Sequence, residues 1–105
     1  MVRGTTPTFI LTLDESVNLT GCNVYVTFWQ DKKDCCHDFL LTKTNEDLEI
    51  STNVINVYLT QEETLKFQRG NMSIQVNWTF DGGQRACSEI ANVKVDTNLL
   101  GKILE

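Results

Sequence analysis

The ten residues "NMSIQVNWTF" (Asn71–Phe80) alternate without a break, with Met72, Ile74, Val76, Trp78 and Phe80 on one side and Ser73, Gln75, Asn77 and Thr79 on the other. A period of two is the period of a β-strand, so the first set predicts a five-layer core face and the second a solvated face. The "DGG" that follows (Asp81–Gly83) is a tight-hairpin signal, because these residues tolerate positive φ. The returning stretch "QRACSEIANVKV" keeps an apolar face through Cys87, Ala91, Val93 and Val95. Ile90 beside Glu89 breaks its alternation, and a bulge is expected there.

The earlier segments repeat the pattern at turn-separated intervals. "TPTFILTL" aligns Phe9, Leu11 and Leu13, and Pro7 at its start suits an edge strand. "NVYVTFWQ" sets Val24, Val26 and Phe28 against Tyr25, Thr27 and Trp29, so both faces are partly apolar and a central strand is expected. "DFLLTK" (Asp38–Lys43) and "LEIS" (Leu48–Ser51) read as weaker strands, and "VINVYLT" sets Ile55, Val57 and Leu59 against Asn56, Tyr58 and Thr60. About seven short strands with turn signals between them predict an all-β chain: an immunoglobulin-like antiparallel β-sandwich over residues 1–97.

One segment departs from this period. "YLTQEETLKFQRG" (Tyr58–Gly70) places Thr60 three residues before Glu63, which is a capping box, and predicts a short helical turn near residues 61–67 that carries the chain from one sheet to the other. Glu62 and Glu63 are adjacent carboxylates, but neighbours on a helix diverge by about a quarter turn and do not converge on one substrate atom. They are read as helix punctuation and not as a catalytic acid and base.

Length and charge narrow the function. A chain of 105 residues is one domain, long enough to bury a core without staples. Its formal net charge of −5, with nine scattered Lys and Arg, argues against nucleic-acid and anionic-membrane partners. No apolar run approaches a spanning helix and the start "MVRGTTPTF" lacks the apolar core of a signal peptide, so synthesis and retention in a cytoplasm are expected. In that compartment Cys22, Cys35, Cys36 and Cys87 are expected as free thiols. "CCHD" (Cys35–Asp38) has neither the ligand spacing of a zinc loop nor a second ligand pair, and no orienting group or oxyanion hole accompanies a cysteine nucleophile there. No metal, cofactor or catalytic residue is therefore expected. The N-x-S/T sequons at Asn18, Asn71 and Asn77 are read as chance β composition, two of them lying inside a strand pattern.

The succession "TTPTFILTL", "VYVTFWQ", "LTQEETLKFQRG", "SIQVNWTFDGG", "ACSEIANVKV" and "LLGKILE" resembles the small proteins encoded among tail and baseplate genes of prophages in Firmicutes. It is similar to the immunoglobulin-like N-terminal domain of phage upper baseplate proteins, most specifically in "TPTF", "LTQEETLKF" and the G-x-I pattern at Gly101–Ile103. The "DKKDCCHDF" loop and the "WTF" strand end depart from the family's usual pattern. The resemblance implies a non-enzymatic structural module of a phage or prophage tail, made in the bacterial cytoplasm and carried in the virion, whose partners are other tail or baseplate subunits or a second copy. The alternative is a receptor- or carbohydrate-binding sandwich of the same particle, with Trp29, Tyr25 and Tyr58 as a candidate aromatic platform. Packing of those rings between sheets or subunits is the preferred reading, since large aromatics dominate core and interface burial.

The tail "NLLGKILE" (residues 98–105) is the candidate partner interface. Leu99, Leu100, Ile103 and Leu104 lie at separations that bring them to one side of a helical turn, although Gly101 disfavours a stable free helix. Full burial of each is worth roughly 1.5–3 kcal/mol, so they are expected to dock on another subunit, the rival reading being a lid on the chain's own core.

Overall fold

The computed structural model describes residues 1–31, 38–80 and 82–104. The strands are β1 (Thr8–Thr12), β2 (Asn23–Gln30), β3 (Phe39–Thr44), β4 (Leu48–Ser51), β5 (Val54–Tyr58), β6 (Gly70–Thr79), β7 (Arg85–Cys87) and β8 (Ala91–Val95). One 3-10 turn (Asn45–Asp47) leads into β4, and one short helix, α1 (Gln61–Leu65), leads from β5 into β6. The strands pair antiparallel in two sheets, β1-β5-β4 and β3-β2-β6, with both β7 and β8 on the free side of β6. Counting β7 and β8 as one interrupted strand leaves seven, in the order of an immunoglobulin-type sandwich. The expected fold class is the one observed.

Alternation decides which residues meet between the sheets. Val24, Val26 and Phe28 of β2 and Met72, Ile74, Val76 and Trp78 of β6 are buried, as are Ile55 and Val57 of β5. Phe9 and Leu11 of the β1 edge strand pack against this core half-buried, and the Phe9 and Phe28 rings meet at 5.7 Å. The inward polar residue at the end of β2, Gln30, is 2% exposed and satisfied by the backbone of Gln68, donating to its carbonyl (2.6 Å) and accepting from its amide (2.7 Å). A buried amide side chain is tolerated here because both of its ends are paired.

The hairpin after β6 departs from the expectation in three respects. Phe80 does not form a fifth core layer; it lies one residue past β6, in the turn, and is 41% exposed. Its amide and carbonyl close that turn with Gln84 and Gly83, while Gly82 and Gly83 take φ of 86° and 81°. Cys87 is not on the core face. Trp78 pairs with Ala86 and Asn77 with Cys87, so Ala86 points inward and Cys87 is exposed. The expected bulge is the cause: Ala86 opposes Trp78 and Ala91 opposes Ile74, five residues on the returning side against four on β6, and the extra residue shifts the phase of β7 relative to β8. Ser88 bridges the gap, its amide donating to Val76 O and its Oγ accepting from Val76 N.

Candidate functional site

The carboxylate pair at the corner between the sheets is structural. Thr60 Oγ1 accepts from Glu63 N at 3.2 Å and Glu63 Oε1 accepts from Thr60 N at 2.9 Å, which completes the capping box. Lys43, reaching across from β3, lies 2.7 Å from Glu63 Oε2. Glu62 is exposed on the same turn. Partial burial pushes the Glu63 carboxyl up, but the hydrogen bonds from Lys43 and Thr60 and the charge of Lys43 outweigh it and hold the carboxyl below the ordinary glutamate range. A depressed folded-state value means that the bond stabilises the protein above the unfolded-state pKa and is lost as pH falls through the folded one. Stability measured from pH 7 down to pH 3 should therefore fall more steeply in the wild-type chain than in Glu63→Gln, which keeps a capping side chain and removes the charge. Parallel curves would show that the ion pair contributes nothing.

The other end of α1 is held from the N-terminal segment. Arg3 donates through Nη2 to Leu65 O (2.7 Å) and through Nε to Phe67 O, covering carbonyls that a helix end leaves open. Thr64, fully buried, accepts from Gly4 N and donates to Thr5 O, both at 2.9 Å. Nothing in the spacing of Arg3 or Thr64 announces these roles, because the partners are 59 or more residues apart in the chain.

The C-terminal tail is tied to the N-terminal segment and to α1. Asn98 Nδ2 donates to Arg3 O at 2.8 Å, and the Gln61 amide holds the backbone of Leu104 through two bonds, Nε2 to O at 2.9 Å and Oε1 from N at 2.7 Å. The tail is thus fixed at both ends while its apolar side chains face out: Leu99 is fully exposed, and Leu100, Ile103 and Leu104 are 48–54% exposed. Ile103 borders a shallow depression with Tyr58, and Tyr58 borders a second with Ile10, itself 69% exposed. Ile103, Tyr58 and Ile10 therefore lie along one side of the molecule. Gln61 is the member of this site that the sequence reading missed; a glutamine in the first turn of a helix carries no signal of a partner 43 residues away.

The tail does not cover the open flank of the sandwich. That flank, between β1 and the β7–β8 break, is a cleft of about 700 Å³ lined by Leu11, Leu13, Val17, Ile74, Trp78 and Ala91 among others, with no described tail residue at its walls. Nor do the candidate platform aromatics pack between the sheets. Tyr25 and Trp29 are on the outer face of the larger sheet, each 38% exposed, and Tyr58 is on the outer face of the smaller one, 60% exposed. Among the described residues Cys22 is a buried free thiol and Cys87 an exposed one, and no three His, Cys, Asp or Glu side chains come together as a metal site. Cys35, Cys36 and His37 lie outside the described residues. No described helix is long and apolar enough to cross a membrane. The chain matches no protein-family model and no curated protein.

Proposed function

We propose that this protein is a non-enzymatic assembly module of a phage or prophage tail or baseplate, acting through protein–protein contacts, with Leu99, Leu100, Ile103 and Leu104 as its adhesive surface. The observation that carries the reading is the tail: apolar side chains held outward on a backbone that Gln61 and Asn98 tie down. A surface ordered before binding loses less entropy on docking than a free chain end, and exposed apolar patches of this kind mark interaction sites. Tyr58 and Ile10 extend the same surface onto the smaller sheet. The phage setting is supported by the resemblance in "TPTF", "LTQEETLKF" and the G-x-I tail. Its partners are neighbouring tail or baseplate subunits or a second copy, met in the bacterial cytoplasm during assembly and retained in the virion. Contacts of this kind need no metal or cofactor.

Deleting residues 99–105 is the test, read by denaturant unfolding, by sedimentation, and by co-purification with the co-expressed products of the flanking genes. Leu99 is fully exposed and Leu100, Ile103 and Leu104 are about half exposed, so the deletion should cost about 1–3 kcal/mol and leave a cooperatively folded chain, while self-association or partner binding should be lost. A large loss of stability in a chain that is monomeric and partnerless throughout would overturn the proposal.

A further inference from the structure

The larger sheet has a second surface that the assembly reading does not use. The chain has 14 Asp and Glu, yet β2, β3, β6, β7 and β8 contain none. Among the described strand residues, the charged side chains on the outer face are Arg85 and Lys94, toward its margins, and each is engaged, Arg85 with Asn77 Oδ1 at 3.2 and 3.0 Å and Lys94 with Asp96 at 3.6 Å. Solvent-facing surface ordinarily carries about a quarter to a third charged residues of both signs. Here the space between the margins is filled by aromatic, hydroxyl and amide groups and by one exposed aliphatic side chain, Leu40 of β3, beside Trp29.

Their arrangement is ordered by the strand register. Trp29 and Tyr25 project from the same face of β2 and are four residues apart, about 13 Å along the strand. Between them runs a polar row in which Thr42 of β3 pairs with Thr27 of β2, and Thr27 with Gln75 of β6. Tyr25 is flanked by Asn77. The Thr27 and Thr42 hydroxyls are 3.4 Å apart, and Gln75 is oriented by donation to Ser88 O at 3.1 Å.

The chemistry of this face selects its ligand. An anion would need clustered cations and a basic peptide would need carboxylates, and the described residues of these strands offer neither. A protein partner is anchored by a broad contiguous apolar centre, whereas the apolar groups here are Trp29 with its cross-strand neighbour Leu40, 60% exposed, at one end and Tyr25 at the other, parted by a polar row. Amides and hydroxyls both donate and accept, as sugar hydroxyls do, and an exposed ring stacks on the C–H face of a pyranose. We infer that the outer face of the larger sheet binds a neutral oligosaccharide, with Trp29 and Tyr25 each stacking on a sugar ring and Thr27, Thr42, Gln75 and Asn77 hydrogen-bonding the hydroxyls between them. The ring spacing requires several sugar units, so a disaccharide binds more weakly than a longer chain.

The test is titration of the full chain with neutral hexasaccharides of β-1,4-linked glucose, β-1,4-linked N-acetylglucosamine and α-1,4-linked glucose, followed by calorimetry and amide NMR. At least one should bind, with shifts confined to β2, β3 and β6. Trp29→Ala and Tyr25→Ala should each weaken binding by at least about tenfold, Gln75→Ala less, and Tyr58→Ala, on the other sheet, not at all. Each variant is checked for an unchanged fold by its unfolding transition; should Trp29→Ala fail that check, Tyr25→Ala and Gln75→Ala still decide the matter. No binding of any hexasaccharide at millimolar concentration, or binding that ignores these substitutions, would overturn the inference. So would self-association that Trp29→Ala abolishes, since the face would then be a protein contact.

Discussion

Trp78→Ala is expected to lower the free energy of unfolding by about 3–5 kcal/mol. Trp78 stands in β6 between Val24 of β2 and Ala86 of β7 and is 5% exposed, so truncation removes the largest side chain of the β6 core face. The indole also lines the open flank, so the space it vacates joins the cleft and not a sealed cavity. Water can enter there, which places the loss toward the lower end of the range. Its Nε1 is buried with no hydrogen-bond partner, so no bond is broken by the substitution. Trp78→Phe follows from the same fact: it gives up some area and removes an unpartnered donor, and the two effects oppose each other, leaving a cost below about 1.5 kcal/mol. Urea unfolding of both variants checks this. A loss below about 1 kcal/mol in Trp78→Ala would mean that the inward face of β6 is misassigned.

Phe67→Ala is expected to cost about 3–5 kcal/mol as well, and no less than Trp78→Ala although its side chain is smaller. Phe67 follows α1, is fully buried, and meets the Phe39 ring edge-on at a centroid distance of 4.9 Å and an angle of 84°. Its cavity is not at the cleft wall, so water does not refill it from the cleft and only partial collapse of the surroundings relieves it. Its own carbonyl accepts from Arg3, which ties the N-terminal segment to this point, so the substitution should also loosen residues 1–5. Amide hydrogen exchange reads the second effect and urea unfolding the first. A cost well below that of Trp78→Ala would show that the corner is a peripheral cover and not part of the core.

These two residues mark the boundary between what is local and what is not. Trp78 was legible because burial in a strand is a period-two signal, carried by five successive pairs from Asn71 to Phe80. The same signal placed Val24, Val26 and Phe28 inward, and the Thr60–Glu63 spacing placed α1 between the sheets, since a capping box is complete within four residues. Phe67 sits where no period applies. That it is buried follows from β3 bringing Phe39 to the corner and from Arg3 reaching back to the end of α1.

By itself, then, the sequence determined the strand-rich class, the faces of the uninterrupted strands, the helical corner and the apolar character of Leu99, Leu100, Ile103 and Leu104, because each depends on neighbours a few residues away. The candidate site was legible to that extent and no further: which side of the molecule the tail occupies depends on Gln61 and Asn98 finding backbone partners far along the chain. Only the tertiary structure decided that Cys87 points outward and Ala86 inward, since one inserted residue near Ser88 reverses the phase of everything beyond it. It likewise decided that Tyr25 and Trp29 share a face whose strands carry no carboxylate, because a face becomes a surface only when strands from distant parts of the chain are set side by side in register. Alternation records which side a residue points to, and pairing between strands decides what it meets there.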